Sequence, residues 1–225
     1  MNQEDFIYRM KEGLSLMSLP LLSEDKLNLL FYYFLLLQKW NQKLNLTAHR
    51  EEEESIEKNF LDCLSLIPHL DYSKEVMDLG SGAGFPGLVV KISLPHTLIT
   101  LVEAIQKKSA FLSTVVRDLN LKEVEIQTTH LHTENFNQLG FRNRFDAIVS
   151  RATISINKIL PLISLCLKKS GIFIGMVSEE FSETETLNPP LFLTIEKEIS
   201  YQLPFSKLNR KLILFRKMAD ESDNN

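Results

Sequence analysis

Val76-Met77-Asp78-Leu79-Gly80-Ser81-Gly82-Ala83-Gly84-Phe85-Pro86-Gly87 is the stretch whose reading decides the fold. An apolar run ends in an acid, a glycine-rich turn follows, and a Pro-Gly pair offers the start of a helix. Four of the chain's eight glycines fall between positions 80 and 87. Glycine costs extra entropy on folding, so this clustering predicts a turn where backbone must bend sharply or approach a ligand closely. Pro86 has the preset φ of a first helical residue. Strand, glycine turn and helix in this order place a ligand at the carboxyl end of a strand in an open α/β sheet.

Downstream the same alternation continues. Short β-branched runs at 98–102, 124–128, 145–150 and 171–177 alternate with helical segments at 86–93, 105–119 and 154–167. This predicts βαβ units and a mostly parallel sheet with helices on both faces. Two further strands, 191–202 and 210–215, have no strong helix between them and are expected to form an antiparallel hairpin at the sheet's end. Upstream, residues 1–70 read as helical. Ser23 can cap a helix whose apolar residues Leu27, Leu30, Phe31, Phe34, Leu37 and Leu44 recur at helical spacing. A second helix is expected over Glu52–Ile67, stopping before Pro68, and Trp40–Ala48 marks a helix end and a turn. The chain thus divides into a helical extension (1–70), an α/β domain (71–218) and a polar tail (219–225) expected to be disordered.

Composition narrows the classes. The 225 residues are 44% hydrophobic and 24% charged, enough for one full core with a small appendage. Cys63 and Cys166 stand far apart with no CxxC, which excludes a disulfide framework or zinc cluster and fits a reducing cytoplasm. The longest apolar run, Leu29–Leu37, is about half of a membrane span, and no secretory signal precedes it. A net charge of −4 argues against coating nucleic acid by bulk electrostatics. Local patches remain: Lys207, Arg210, Lys211, Arg216 and Lys217 lie in an acid-free segment suited to phosphate contact or to protecting an edge strand. Glu51–Glu54 suits the first turn of a helix.

Gly82–Gly87 also satisfies GxGxxG, a weak signal for a dinucleotide when it stands alone. Asp78 at the end of the first strand and Glu103 at the end of the second favour S-adenosylmethionine instead. Glu103 can accept hydrogen bonds from both ribose hydroxyls, and Asp78 can hold the cationic methionine portion directly or through water. His130 and His132 would share a face if the third strand reached them, but two imidazoles without a third ligand do not make a metal site. Phe141-Arg142-Asn143-Arg144 joins an aromatic to two cations and suits either RNA contact or a solvated loop. Trp40 reads as a core anchor.

Together with Trp40-Asn41-x-x-x-Asn45-Leu46-Thr47 upstream and Ser150-Arg151-Ala152 downstream, the glycine stretch closely resembles the small-subunit ribosomal RNA guanine-N7 methyltransferase family (RsmG, also called GidB), over about residues 20–217. The resemblance implies a class I methyltransferase (Rossmann-like) fold, with a mostly parallel seven-strand sheet, an antiparallel last hairpin and an N-terminal helical extension. It implies S-adenosylmethionine as donor and a guanine of 16S rRNA, free or in the small ribosomal subunit, as acceptor; the working unit is expected to be a monomer. By position it assigns Gly80, Phe85, Leu131, His132 and Arg151 to the cofactor, beside Asp78, Gly82, Gly84 and Glu103 from the motif, and Lys107 and Lys108 to RNA. Guanine N7 carries a lone pair and no proton, so no general base is needed and no catalytic residue is assigned.

Some positions depart from the family pattern. Asn59 and Cys63 stand where the family has His and Ser, Val177-Ser178 where it has Lys-Gly, and His130 and His132 where it has an arginine and an acid. The alternatives are therefore a diverged paralogue that binds cofactor and RNA without efficient catalysis or on another RNA, and, on GxGxxG alone, a nicotinamide-dependent oxidoreductase.

Overall fold

The computed structural model describes residues 1–49, 51–151, 155–178 and 187–218. Ala152, the expected helix start at 154 and the polar tail lie outside the described residues.

The N-terminal region is built from α1 (Gln3–Leu16) and α2 (Glu24–Leu44), followed by a broken helical segment. Asn2 caps α1 by accepting from Asp5 N–H at 2.9 Å, and Ser23 stands at the N-cap of α2 with Glu24 and Asp25 at the positive end of the helix dipole. Asn45 ends α2 in the left-handed region, φ 48°, a conformation asparagine tolerates better than most residues. The single helix expected over Glu52–Ile67 is instead three pieces: α3 (Glu52–Ser55), a π-helix (Ile56–Leu61) and α4 (Asp62–Leu64). The stop before Pro68 is also overturned. Pro68 lies in the first turn of α5 (Ile67–Leu70), where its missing N–H costs nothing.

Seven strands form one sheet in the order β3-β2-β1-β4-β5-β7-β6: β1 (Glu75–Leu79), β2 (Leu98–Val102), β3 (Val124–Gln127), β4 (Phe145–Arg151), β5 (Leu167–Ser178), β6 (Leu193–Gln202) and β7 (Asn209–Lys217). The first five pair in parallel, while β7 is antiparallel to both β5 and β6. The sheet is a Rossmann-like methyltransferase sheet with an antiparallel last hairpin. The intervening helices are α6 (Gly87–Ser93), α7 (Gln106–Asp118) and α8 (Ile156–Cys166). Pro86 caps α6 rather than occupying its first helical position.

Side chains alternate between two cores, as the two-residue strand period requires. Val76, Ala147, Val149, Ile172 and Ile174 join α1, α2, α6 and α7 in one core, while Met77, Ile148, Phe173, Ile213 and Phe215 pack with α8 in the other. The first core runs unbroken from Phe6, Phe34 and Phe60 to Phe85 and Phe111. The helical extension therefore forms part of the wall behind the glycine turn.

Several cations of the last hairpin find acids in the fold. Arg216 pairs with Glu196 at 2.8 Å, Lys211 with Glu198 at 2.9 Å, and Arg210 approaches Asp62 at 3.8 Å. These contacts give three of the segment's five cations acidic partners in the fold.

Candidate functional site

At the carboxyl ends of the strands lies a cavity of about 940 Å³. Its floor is the glycine turn. Gly80 and Ser81 N–H both donate to the Val102 carbonyl, tying the turn to the end of β2, and Ser81 Oγ donates to the Asp78 carbonyl at 3.0 Å. Gly80, Gly82 and Gly84 take φ of +79°, +58° and +93°. A β-carbon on Gly80 would meet nothing within 4 Å, whereas one on Gly84 would overlap Leu88 and come within 2.6 Å of the Tyr33 hydroxyl. Gly80 therefore presents bare backbone to the cavity, and Gly84 lets the turn settle against α2 and α6.

Glu103 follows β2 and reaches back to this turn. Its Oε2 accepts from Gly82 N–H and its Oε1 from Ile105 N–H, both at 2.8 Å, and the side chain lines the cavity. Asp78 behaves differently. It is fully buried, its Oδ2 accepts from Gly87 N–H at 2.9 Å, and its Oδ1 has no partner among the described residues. Burial pushes its pKa up to about 7, against the opposing bond from Gly87. Asp78, expected to hold the methionine portion directly or through water, does not line the cavity; its carboxyl fixes the start of α6 from beneath.

Arg151 ends β4 and points into the cavity. Its Nη1 donates to the Lys58 carbonyl at 2.7 Å, its Nη2 donates to Asn59 Oδ1 at 3.1 Å, and its guanidinium lies 5.2 Å from the centre of the Phe85 ring. Cys63 Sγ lies 3.9 Å from Nη1; burial pushes this thiol up. Two positions that depart from the family pattern, Asn59 and Cys63, are thus the arginine's neighbours. Val177 is buried near the end of β5 and does not line the cavity.

Leu131 and His132 both line the cavity. β3 ends at Gln127, so the His130 and His132 imidazoles are not held by a strand, yet they stack with centroids 4.5 Å apart. The His132 backbone N–H donates to Asn135 Oδ1 at 2.8 Å. Among the described residues, no group of three or more His, Cys, Asp or Glu could hold a metal ion.

The basic candidates separate. Lys108 lines the cavity and Lys107 is exposed beside it. Arg144 lies at the opposite, amino end of the strands, bonded to Glu125 at 2.8 Å and Glu75 at 3.4 Å. Arg142, two residues earlier, sits 5.9 Å from the Phe136 ring centre and also stands away from the cavity. Neither arginine of the Phe141–Arg144 cluster lines the cavity, and Arg144 is held by acids of the sheet.

Several site residues escaped the sequence reading. Tyr33 of α2 is fully buried, donates its hydroxyl to the Ala83 carbonyl and stacks on Phe85 at 5.2 Å. Leu46, Thr47 and His49 line the cavity, with Thr47 N–H held by Asn41 Oδ1 at 2.9 Å. That bond gives the Trp40-Asn41…Leu46-Thr47 motif its physical meaning. Ile105 and Lys158 also line the cavity, Ile105 as an exposed apolar residue just after Glu103.

With this geometry in view, the comparisons decide the family. The GidB family, described as rRNA small subunit methyltransferase G, matches residues 26–214. The chain belongs to the GidB family. Proteins named ribosomal RNA small subunit methyltransferase G are 34% identical over 201 residues in Acetivibrio thermocellus (87% of this chain, 82% of that protein) and 36% over 208 residues in Lachnoclostridium phytofermentans (88% and 84%). Among solved structures, TrmN from Thermus thermophilus has TM-score 0.55 at 11% identity, covering 70% of this chain and 48% of that one. The Escherichia coli protein yhhF has TM-score 0.54 at 13% identity, covering 71% and 86%. These two likenesses establish the fold. As a GidB member the chain is a methyltransferase, and the oxidoreductase reading of Gly82–Gly87 is set aside. Among the described residues, no helix is long and apolar enough to cross a membrane.

Proposed function

We propose that the chain transfers a methyl group from S-adenosylmethionine to N7 of a guanine in 16S rRNA. The link between Glu103 and Gly82 carries this reading. One carboxylate is anchored by the glycine turn while each of its oxygens keeps a further lone pair for the ribose hydroxyls. The residues fit the cofactor: Gly80 and Gly82 give the methionine portion bare backbone, Ile105, Leu131 and His132 border the adenine, and Gly84 with Phe85 shapes the turn. When bound, S-adenosylmethionine supplies an electrophilic methyl on a sulfonium.

The chain's own part is to position and to exclude water. Arg151, held by Lys58 and Asn59 over Phe85, offers a fixed guanidinium to the donor's carboxylate or to the acceptor base. A guanine N7 nucleophile asks for no proton transfer, so no residue is assigned as acid or base. Lys107 and Lys108 belong to the RNA side. Residues 1–70 act as the helical extension and 71–218 as the methyltransferase domain, working as a monomer in the cytoplasm on 16S rRNA or the small ribosomal subunit. Family membership favours this enzyme over a paralogue that only binds. The test is to map 7-methylguanosine in 16S rRNA of a deletion strain complemented with the wild-type gene or with Gly82→Asp. One modification lost on deletion, restored by wild type and not by the variant is expected; unchanged methylation in the deletion strain overturns the assignment.

A further inference from the structure

Helices α2 and α7 meet where the Trp40 ring lies 5.5 Å from Phe111. α2 runs toward the cavity, since Leu46 and Thr47 just beyond its end line it, while α7 begins there, with Lys108 in the lining. The two helices are therefore antiparallel neighbours. Three residues from the crossing toward the cavity, about 4.5 Å along each axis, stand Lys43 on α2 and Lys108 on α7. Lys39 and Lys107 are exposed next to them. Back along α2, Tyr32 and Leu35 precede Lys39 and Lys43 at spacings of three, four and four, so they share its outward face; Tyr32 is 49% exposed and Leu35 42%.

Folding does not account for these lysines. Among the described residues none of the four is in an ion pair, in contrast to Arg144, Lys211 and Arg216, which are all paired. The first turn of α7 contains no acid, and Lys107 and Lys108 sit at the positive end of its dipole, where a cation is unfavourable. Glu103, four residues before Lys107, spends its carboxylate on Gly82 and Ile105 N–H, and of the acids after α2, Glu52 pairs with the chain's amino group, Glu53 approaches Arg9, and Glu54 pairs with Lys58 and His49. In a chain of net charge −4, these lysines stand without ion pairs among the described residues; Lys108 lines the cavity, and the half-exposed Tyr32 lies farther back on the same face of α2 as Lys39 and Lys43. Cations in a row beside an aromatic suit the phosphates and bases of single-stranded RNA.

We propose that Lys39, Lys43, Lys107 and Lys108 form a ledge that takes successive phosphates of the RNA strand whose base enters the cavity, with Tyr32 stacking on that strand farther along α2. The ledge makes the helical extension half of the RNA-binding face. The proposal rests on RNA being the acceptor.

The experiment measures 16S rRNA affinity of the full chain against salt for wild type, Lys39→Gln/Lys43→Gln and Tyr32→Ala. For the double variant, the slope of log affinity on log salt is expected to shrink by roughly 1.4 to 1.8, the loss of two phosphate contacts, with about tenfold weaker binding at moderate salt. Its S-adenosylmethionine affinity and melting temperature are expected to stay at the wild-type values. Tyr32→Ala should weaken binding without altering the slope. A double variant that keeps the wild-type slope and affinity overturns the ledge, as does a wild-type chain that binds no RNA. Loss of affinity for assembled small subunits alone, with naked rRNA binding unchanged, also overturns it and names a ribosomal protein as the partner. A wild-type chain whose RNA binding responds as expected but which methylates no rRNA leaves the ledge standing and removes the proposed reaction.

Discussion

Asn59 Oδ1 accepts a hydrogen bond from Arg151 Nη2 at 3.1 Å across 92 positions of chain. The π-helix Ile56–Leu61 makes this meeting possible. Its wider turn leaves the Lys58 carbonyl available to Arg151 Nη1 and brings the next side chain to the same guanidinium, while Asn59 Nδ2 donates to Ser55 Oγ at 3.2 Å. Such bulges recur where a helix must aim a functional group. Asn59 does not itself line the cavity but holds Arg151, which does, so its role is to position that arginine. Asn59→Ala is expected to lower methyl transfer roughly tenfold, the scale of one charge-assisted hydrogen bond at ~1.5 kcal/mol. Asn59→His, whose ring nitrogen can accept in the same place, is expected to recover most of it. Steady-state kinetics on 16S rRNA with parallel thermal melts decide the matter; equal loss in both variants, tracking the melts, would make Asn59 merely structural.

Tyr33 joins the extension to the glycine turn through one hydroxyl and one ring. Tyr33→Phe keeps the stack on Phe85 and removes only the donor to Ala83. A buried carbonyl left without its partner costs ~1–3 kcal/mol, so the melting temperature should drop by several degrees. Because Ala83 lies between Gly82 and Gly84, S-adenosylmethionine affinity measured by calorimetry should fall as well. A variant melting like wild type would show that the hydroxyl does not brace the turn.

Two glycines of the same turn are expected to fail in different ways. At Gly84 a new β-carbon meets the Leu88 side chain and the Tyr33 hydroxyl, and φ is +93°. Gly84→Ala should therefore destabilise the whole chain, by at least the 1–3 kcal/mol typical of overpacking. At Gly80 the new methyl enters open space at the cavity floor, so only the φ of +79° is penalised. Gly80→Ala should lose cofactor affinity more than stability. Denaturant titration beside calorimetry tests the pair, and an identical ranking of the two variants in both measurements would contradict the division of roles.

Much of this architecture was legible because it is local. The glycine turn, the acid before it and the strand after it lie within some thirty residues, and short β-branched runs locate β1 to β4 within about a residue of their ends. What escaped depends on distant partners. Glu52–Leu64 reads as an ordinary helix until Arg151 arrives from β4. Pro68 looked like a stop, although a short helix could start around it. Asp78 was expected to face a ligand because strand-end acids often do, yet the close approach of Gly87 turns it inward; a β-carbon there would come within 2.6 Å of its Oδ2. Arg144 reads in the sequence as a cation open to RNA or solvent; its acids, Glu75 on β1 and Glu125 on β3, lie far from it in the chain.

The buried Asp78 gives stability a pH dependence of unusual sign. Its folded pKa, about 7, lies above the ordinary 3.8 because burial disfavours the charged carboxylate. Below about pH 4 both folded and unfolded chains hold the proton, and the group contributes nothing. Between about pH 4 and 7 the unfolded chain releases the proton while the folded chain retains it, so this group's contribution to stability falls as pH rises and levels off above 7. The full penalty is on the order of a few kcal/mol. Asp78→Asn keeps an oxygen for Gly87 N–H and cannot ionise. Urea unfolding from pH 4 to 8 should therefore show wild type losing stability relative to Asp78→Asn across that interval, with the gap constant above pH 7. Parallel curves over the whole range would mean that Asp78 is already ionised in the folded protein and that its unpartnered Oδ1 is solvated.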